Sequence, residues 1–323
     1  MDSLTQAALG AAIGEVILGR KIGYKGAVIG AIIATIPDLD VVLIPFYSSL
    51  ERISIHRGFS HSILFSLIGS ILIAFILTKL KWTKQISYVR LLIFCWLALF
   101  THMLLDAFTT YGTQLLLPFS NYRVSFDSIN IVDPFYTLPL LLGLILSLTY
   151  FRNKDSRSLY SKIGIAISSL YLILTLGIKS YVNQKFDEVL TSQGIEYNSL
   201  LTVPVKIGSI SWYGVAKTNN SLFIGRYNNL SPNLILFTEF PINNHLLNDI
   251  PTEISSTLKW FSQDFYTVVE NNGKLRLYNM QCDMQGIRTY GNYKAPTAFY
   301  FEITPLSNGK YDLTTGMHKK ASK

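Results

Sequence analysis

Three of the chain's five histidines and four or more of its aspartates fall in short polar stretches between long apolar ones: Asp38, Asp40, His56, His61, His102, Asp106, Asp127 and Asp133. Imidazole nitrogens and carboxylate oxygens are ordinary ligands of a divalent metal, and ionisable groups at membrane depth are costly. The set therefore reads first as a metal site. His102 and Asp106 are four residues apart, which puts both on one helix face, able to ligate one ion or a close pair. A hydrogen-bonded His–Asp pair between helices accounts for that spacing equally well. In Ile36-Pro37-Asp38-Leu39-Asp40 a helix-breaking proline is followed at once by two hard oxygen donors, as further ligands or as a base. His56 to His61 has loop-like spacing, with Gly58 permitting a turn and Ser60 capping the next helix. Asp133-Pro134 has the form of an N-cap followed by proline at the first helical position, so Asp133 is a cap or a bridging ligand. Asp127 is a surface acid or a ligand. Arg57 and Arg123 could each clamp a phosphate bidentately, or simply snorkel to water.

The elements that must position these residues are largely apolar. The 323 residues carry only 15% charged side chains and a mean hydropathy of +0.31, the composition of a membrane protein with a sizeable soluble part. Candidate spans are Ala27 to Ile44, Ser62 to Leu80, Leu91 to Ala107, Phe135 to Phe151 and Ile163 to Val182, each near the length that crosses about 30 Å of hydrocarbon. A sixth, Leu4 to Leu18, is shorter, rich in Ala and Gly, and reads as a tightly packed or partly re-entrant helix.

Charge orients them. Up to Lys185 there are 16 Lys+Arg against 9 Asp+Glu, whereas Phe186 to Lys323 holds 12 against 11, so the basic excess belongs to the membrane half. Arg20, Lys21 and Lys25, then Lys79, Lys81, Lys84 and Arg90, then Arg152, Lys154, Arg157 and Lys162 mark three loops as cytoplasmic. Alternating spans then place every candidate ligand on the extracytoplasmic side. No basic stripe on a soluble face suggests nucleic acid, and none is expected as a partner. Cys95 and Cys282 suggest neither a disulfide nor a thiolate site.

From Phe186 the apolar stretches shorten and alternate. Pro204 to Val215, Ser221 to Tyr227, Asn233 to Phe240, Phe265 to Val269, Lys274 to Tyr278 and Thr297 to Ile303 read as strands, with Asn271-Asn272-Gly273 as a hairpin turn. Thr252 to Phe261 reads as a helix capped by Thr252. His245 and His318 stand alone in the sequence, and Lys319 to Lys323 reads as a frayed tail. The expected fold is an α-helical polytopic membrane bundle of about six helices, residues 1–182, followed by a β-rich (α+β) soluble domain, residues 186–323, on the extracytoplasmic side.

Met1-Asp2-Ser3-Leu4-Thr5-Gln6, Pro37-Asp38-Leu39-Asp40, His56-Arg57-Gly58-Phe59-Ser60-His61-Ser62, Thr101-His102 with Leu105-Asp106, Thr109-Thr110-Tyr111-Gly112 and Asp133-Pro134 together resemble the YdjM-type family of bacterial inner-membrane proteins over about residues 1 to 180. That family is described as metal-dependent hydrolases, on a His and Asp pattern similar to that of zinc-dependent phospholipase C and single-strand nuclease enzymes. Where many relatives carry His this chain has Gln6, which implies a missing or replaced ligand. The resemblance and the residues together predict a membrane hydrolase holding zinc, ahead of manganese or magnesium, on His56, His61, His102 and Asp106. Asp127 and Asp133 would then be bridging or supporting, and Asp38, Asp40 and Arg57 would take part in the chemistry. A site at headgroup level predicts a lipid or lipid-linked phosphoester as substrate. Two other readings use the same residues: an ion or proton path or metal-stabilised scaffold, and a membrane zinc peptidase, for which the His-Glu-x-x-His helix is lacking.

Overall fold

Asp2 accepts the Thr5 N–H and so starts the first helix, α1 (Ser3–Ile22), which ends where Gly23 turns to φ 66°. The computed structural model describes residues 1–205, 207–231, 234–281, 288–290, 293–295, 297, 299–307 and 309–318. Asn233, Cys282 and the tail from Lys319 lie outside them. The chain divides into two compact units, Met1–Pro45 with Ile55–Gly177, and Phe46–Ser54 with Ile178–Lys323.

In the first unit α1 turns back into α2 (Lys25–Thr35), and the two run antiparallel, almost backbone against backbone. A Cβ at Gly10 would stand 2.2 Å from the Gly30 carbonyl oxygen, and one at Gly14 2.1 Å from that of Gly26. Paired small residues four apart permit this approach, as in membrane helix dimers. Pro37 ends α2, and residues Pro37–Val42 continue as a tighter turn, the segment Pro37–Phe46 bending from α2 by 46°. After the short α3 (Ser49–Ile55) and a second tight turn at Phe59–His61 come α4 (Ile63–Thr78), α5 (Tyr88–Ala107), α6 (Pro134–Leu148) and α7 (Arg157–Ser192).

Packing in this unit puts polar groups inside and apolar ones outside. Ser66 and Ser70 of α4 are buried, while Leu67, Ile68, Ile71, Leu72, Phe75 and Ile76 on the same helix are exposed. An apolar outer surface of that extent fits hydrocarbon, not water. Among the described residues, α5 and α7 are long and apolar enough to span, or up to four segments if each bent pair, Lys25–Thr35 with Pro37–Phe46 and Ser49–His61 with Ile63–Thr78, counts as one. Six spans are not supported: α1 carries Gln6, Glu15 and Arg20, and α6 has only 15 residues with Pro139 inside it.

At the end of this unit away from His102, Arg157 of α7 holds the fully buried Glu15 of α1 through two hydrogen bonds of 2.5 and 2.8 Å. Arg20 reaches the Asp155 carbonyl and Gln85 that of Lys21, so the three basic loops lie together. Gln6 is fourteen residues, about 21 Å of helix, from Arg20.

In the second unit α7, unbroken through residues 183–185, buries Val182 and Phe186 against Trp212, Tyr227 and Ile235. One antiparallel sheet has the order β1 (Ser199–Pro204), β2 (Ser211–Lys217), β3 (Ser221–Asn228), β4 (Thr238–Pro241), with Leu201 opposite Val215. The single strand expected over Pro204 to Val215 is thus the corner between two, because Gly208 and Ser209 at φ 75° and 50° reverse the chain. The strand expected from Asn233 starts only at Thr238. After α8 (Thr252–Phe261), a second sheet is formed by β5 (Tyr266–Asn271), β6 (Lys274–Asn279), β9 (Phe299–Pro305) and β10 (Tyr311–Met317), in the order β10-β9-β6-β5, while β7 (Arg288–Tyr290) pairs with β8 (Tyr293–Ala295). Asn272 and Gly273, both at positive φ, make the predicted hairpin turn. Pro251, not Thr252, precedes α8, and no side chain caps that helix. His318 is not alone but bonds to the Tyr278 hydroxyl at 2.8 Å.

Filling the α1–α2 contact should be costly: Gly14→Leu is expected to lower stability by about 1–3 kcal/mol or more, read as a fall in the thermal unfolding midpoint of the detergent-purified protein, whereas Gly177→Leu, at a helix position with open space around it, should leave the midpoint within error.

Candidate metal centre

Asp38, His61, His102 and Asp106 each offer one ligand atom, and these atoms all lie within 4.8 Å of one another. Asp38 comes from the turn after α2, His61 from the turn before α4, and His102 and Asp106 from one face of α5. The two imidazole Nε2 atoms are 3.2 Å apart. His61 Nε2 is 3.4 Å from both Asp38 Oδ1 and Asp106 Oδ2, and His102 Nε2 is 3.4 and 3.8 Å from the same two oxygens.

The far side of each ring fixes its tautomer. His102 Nδ1–H donates to the Ala34 carbonyl at 2.5 Å. His61 Nδ1–H donates to Ser60 Oγ at 3.0 Å, and Ser60 in turn donates to Asp40 Oδ2 at 3.2 Å. With both Nδ1 atoms occupied as donors, both Nε2 lone pairs and two carboxylate oxygens point at one place. Asp106 Oδ2 accepts no hydrogen bond although its residue is only 1% exposed. With both rings neutral, four acceptors converge with no hydrogen between them, which is unfavourable in a buried setting, and a cation at their centre removes the conflict.

Asp106 is held from every side. Its Oδ1 takes the Met1 amino group and, at 3.1 Å, the Gln6 amide, which also donates to the His102 carbonyl at 3.1 Å. Arg57 lies 3.1 Å from Oδ2 through Nε and donates through a terminal nitrogen to Thr109 Oγ1 at 2.9 Å. The guanidinium of Arg57 is thus turned onto Asp106 and packed over the Tyr111 ring, 6% exposed, instead of being open to clamp a phosphate. Arg123, packed against the same ring and donating to the Tyr111 carbonyl, is buried too. Arg57 also takes the left-handed conformation, φ 57°, in place of Gly58. Its backbone N–H to Asp40 Oδ2 at 3.0 Å offsets the cost, about 1–2 kcal/mol, of that geometry.

Residues 1–186 match the profile of the YdjM inner membrane protein family. The chain belongs to that family. Over 239 residues, 70% of this chain and 68% of the relative, it is 29% identical to "Uncharacterized protein YfhP" of Bacillus subtilis (strain 168). It is 32% identical over 122 residues, 37% of this chain and 69% of the relative, to "Inner membrane protein YbcI" of Escherichia coli (strain K12). No solved structure gives a significant match.

In this family member the structure regroups the residues that the sequence singled out. Asp38 joins His61, His102 and Asp106, whereas His56 does not: its Nδ1–H donates to Asp40 Oδ1 at 3.1 Å, beside the four ligands. Asp40 collects His56, the Arg57 N–H and Ser60, and so supports the site from behind. Asp133 accepts the Phe135 N–H as the cap of α6 and a 2.8 Å bond from Tyr171, apart from the cluster. Asp127, buried and at φ 46°, sits in the loop that folds back onto the end of α5 and is likewise not among the four. Ser62, not Ser60, caps α4. Three supports were not foreseen: the Ala34 carbonyl, the Ser60 relay, and the Gln6 amide, which faces Asp106 where the family resemblance suggested a ligand.

Asp40→Ala should leave all four ligands in place but free His61 to turn. A loss of about 10–100-fold in divalent-metal affinity is expected, measured by competition with a chromophoric chelator; unchanged affinity would show that Asp40 does not orient the site.

Proposed function

We propose that the chain is a membrane-embedded, metal-dependent hydrolase whose metal is held by Asp38, His61, His102 and Asp106. The observation that carries this reading is the set of edges between the ligand atoms. Ligands placed tetrahedrally at zinc distances of 2.0–2.2 Å stand about 3.3–3.6 Å apart; five of the six edges here measure 3.2–3.8 Å, and the sixth, between the two carboxylate oxygens, lies within 4.8 Å. An octahedral magnesium site at 2.0–2.1 Å would bring adjacent ligands to about 2.8–3.0 Å and favour oxygen over imidazole. Zinc suits both the spacing and the donor set.

When bound, such an ion supplies Lewis acidity and a water acidified toward neutrality. The protein's own groups do the rest. Asp40 and Ser60 hold His61, the Ala34 carbonyl holds His102, and Gln6, Arg57 and the Met1 amine hold Asp106. Arg57, although not open to substrate, adds positive charge beside the ligands and favours an anionic group such as a phosphoester.

A lipid or lipid-linked substrate is proposed from the surroundings. Leu39, Val42, Phe59, Phe119 and Tyr122, in the segments that carry or adjoin the ligands, are all more than half exposed, as side chains at a headgroup boundary would be. An apolar groove of about 320 Å³, lined among others by Leu9, Ile13, Leu97, Leu104, Leu105 and Leu172, runs along α5, the helix that bears His102 and Asp106. The basic loops gathered at the other end of the helices support a multi-pass orientation with the site, and the sheet-rich part, outside the cytoplasm.

One observation favours a second reading. Four protein ligands complete a tetrahedron, as in structural zinc sites, so the metal could instead staple the turns before α4 and after α2 to α5. Elemental analysis with a hydrolysis assay separates the two. The hydrolase reading expects about one zinc per chain and turnover of a phosphoester lipid, both lost in His102→Ala. Zinc retained with no turnover of any lipid phosphoester, together with a thermal midpoint that falls on chelation, would replace it with the staple.

A further inference from the structure

The two carboxylates of the cluster differ. Asp106 is 1% exposed; its Oδ1 accepts from the Met1 amine and the Gln6 amide, while its Oδ2 lies 3.1 Å from Arg57 Nε as an ion pair and accepts no hydrogen bond. Gln6 can present only its NH₂ end there, since both groups it meets, Asp106 Oδ1 and the His102 carbonyl, are acceptors. With Oδ1 saturated, Asp106 can serve a metal through Oδ2 alone. Asp38 is the opposite. Its side chain is 26% exposed, and among the described residues its carboxylate meets only the two Nε2 atoms that would share its metal. Among the described residues no backbone N–H, hydroxyl or Lys/Arg cation fixes it, and it stands in a short turn that Pro37 separates from α2.

We infer that the coordination sphere opens at Asp38. Resting on the metal-centre reading above, the inference assigns Asp38 as the exchangeable ligand, which yields to a phosphate oxygen. Asp106, fixed as a one-oxygen ligand by Gln6, stays with His61 and His102. Three fixed ligands and one replaceable position are what a catalytic site needs and a structural one lacks. Outward exposure falls at that same position, since His61, His102 and Asp106 have side chains 0–1% exposed.

The test uses the full chain in detergent, loaded with cobalt(II), whose visible spectrum reports coordination. Asp38→Ala should keep the metal, with affinity weakened no more than about tenfold, whereas Gln6→Ala should lose about 10–100-fold and Asp106→Ala more. Inorganic phosphate should change the wild-type spectrum, and do so at lower concentration in Asp38→Ala. Phosphatidic acid in nanodiscs should change it as well, and phosphatidylcholine nanodiscs should not. A response to phosphate without one to phosphatidic acid upholds the exchangeable ligand and assigns it to a soluble anion, against the lipid substrate. Loss of cobalt from Asp38→Ala as complete as from Asp106→Ala would overturn the inference, and so would a wild-type spectrum indifferent to phosphate, which needs no variant to read. A wild type that takes up no cobalt or zinc would overturn the metal centre itself.

Discussion

The site depends first on how closely α1 and α2 can approach. Gly10 and Gly14 lie against Gly30 and Gly26 with no room for a methyl group on either side. That contact sets the height of Gln6 on α1 relative to Ala34 and Asp38 at the end of α2. Gln6 of α1 and Ala34 of α2 both grip α5, one at Asp106 and the His102 carbonyl, the other at His102 Nδ1. A hydrogen bond weakens steeply with distance and angle, so moving the helices apart by one methyl layer would loosen both grips together. The bidentate Glu15–Arg157 pair ties the distant half of α1 to α7 and keeps the hairpin from sliding along it. A buried ion pair is a poor source of net stability, but its directional geometry makes it a good source of register.

Electrostatics then decides what the cluster can be. Asp38, Asp40 and Asp106 bring three carboxylates together, against Arg57 and the Met1 amine as cations. Both imidazoles donate outward through Nδ1, so a proton can enter the cluster only on the Nε2 of an imidazolium, where it reaches one or two neighbours. A divalent ion matches that arrangement better than a proton does. One proton can serve one or two of the five short contacts, whereas an ion at the centre serves all of them.

Much of this was legible in the sequence, and the reasons for the rest are physical. The i, i+4 spacing of His102 and Asp106 places both on one face of a helix whatever surrounds it. Asp133 before Pro134 reads as a cap because both residues have local preferences that need no partner. The exchange of His56 for Asp38 was not legible. In a loop, which side chain turns inward depends on one backbone torsion, and Arg57, not the permissive Gly58, takes the left-handed conformation. Ser60 and Ser62 are equally good caps on paper; only the arrival of Asp40 from another segment draws Ser60 away. The Ala34 carbonyl is beyond any residue-type argument, since every residue has one. In the second unit, alternation marked most strands but joined two of them across Gly208 and Ser209, where the reversal rests on backbone torsions more than on polarity. Helix length likewise misled in the first unit, because the apolar run Ala27 to Ile44 is divided at Pro37 and the run Ser62 to Leu80 yields a helix of only 16 residues.

The difference between a catalytic and a structural centre here does not lie in the number of ligands. It lies in how each ligand is itself held. A carboxylate whose second oxygen is saturated by Gln6 and an amine cannot rotate without leaving buried donors unpaired, a cost of about 1–3 kcal/mol for each. A carboxylate on an exposed turn exchanges one solvated state for another at little cost. Evolution of a purely structural staple would gain from gripping all four ligands equally, and nothing in the fold prevents it: Asp40, two residues along the same turn, is gripped by three donors. That the ungripped carboxylate is also the solvent-facing one argues that the turn after α2 carries a support at Asp40 and an opening at Asp38.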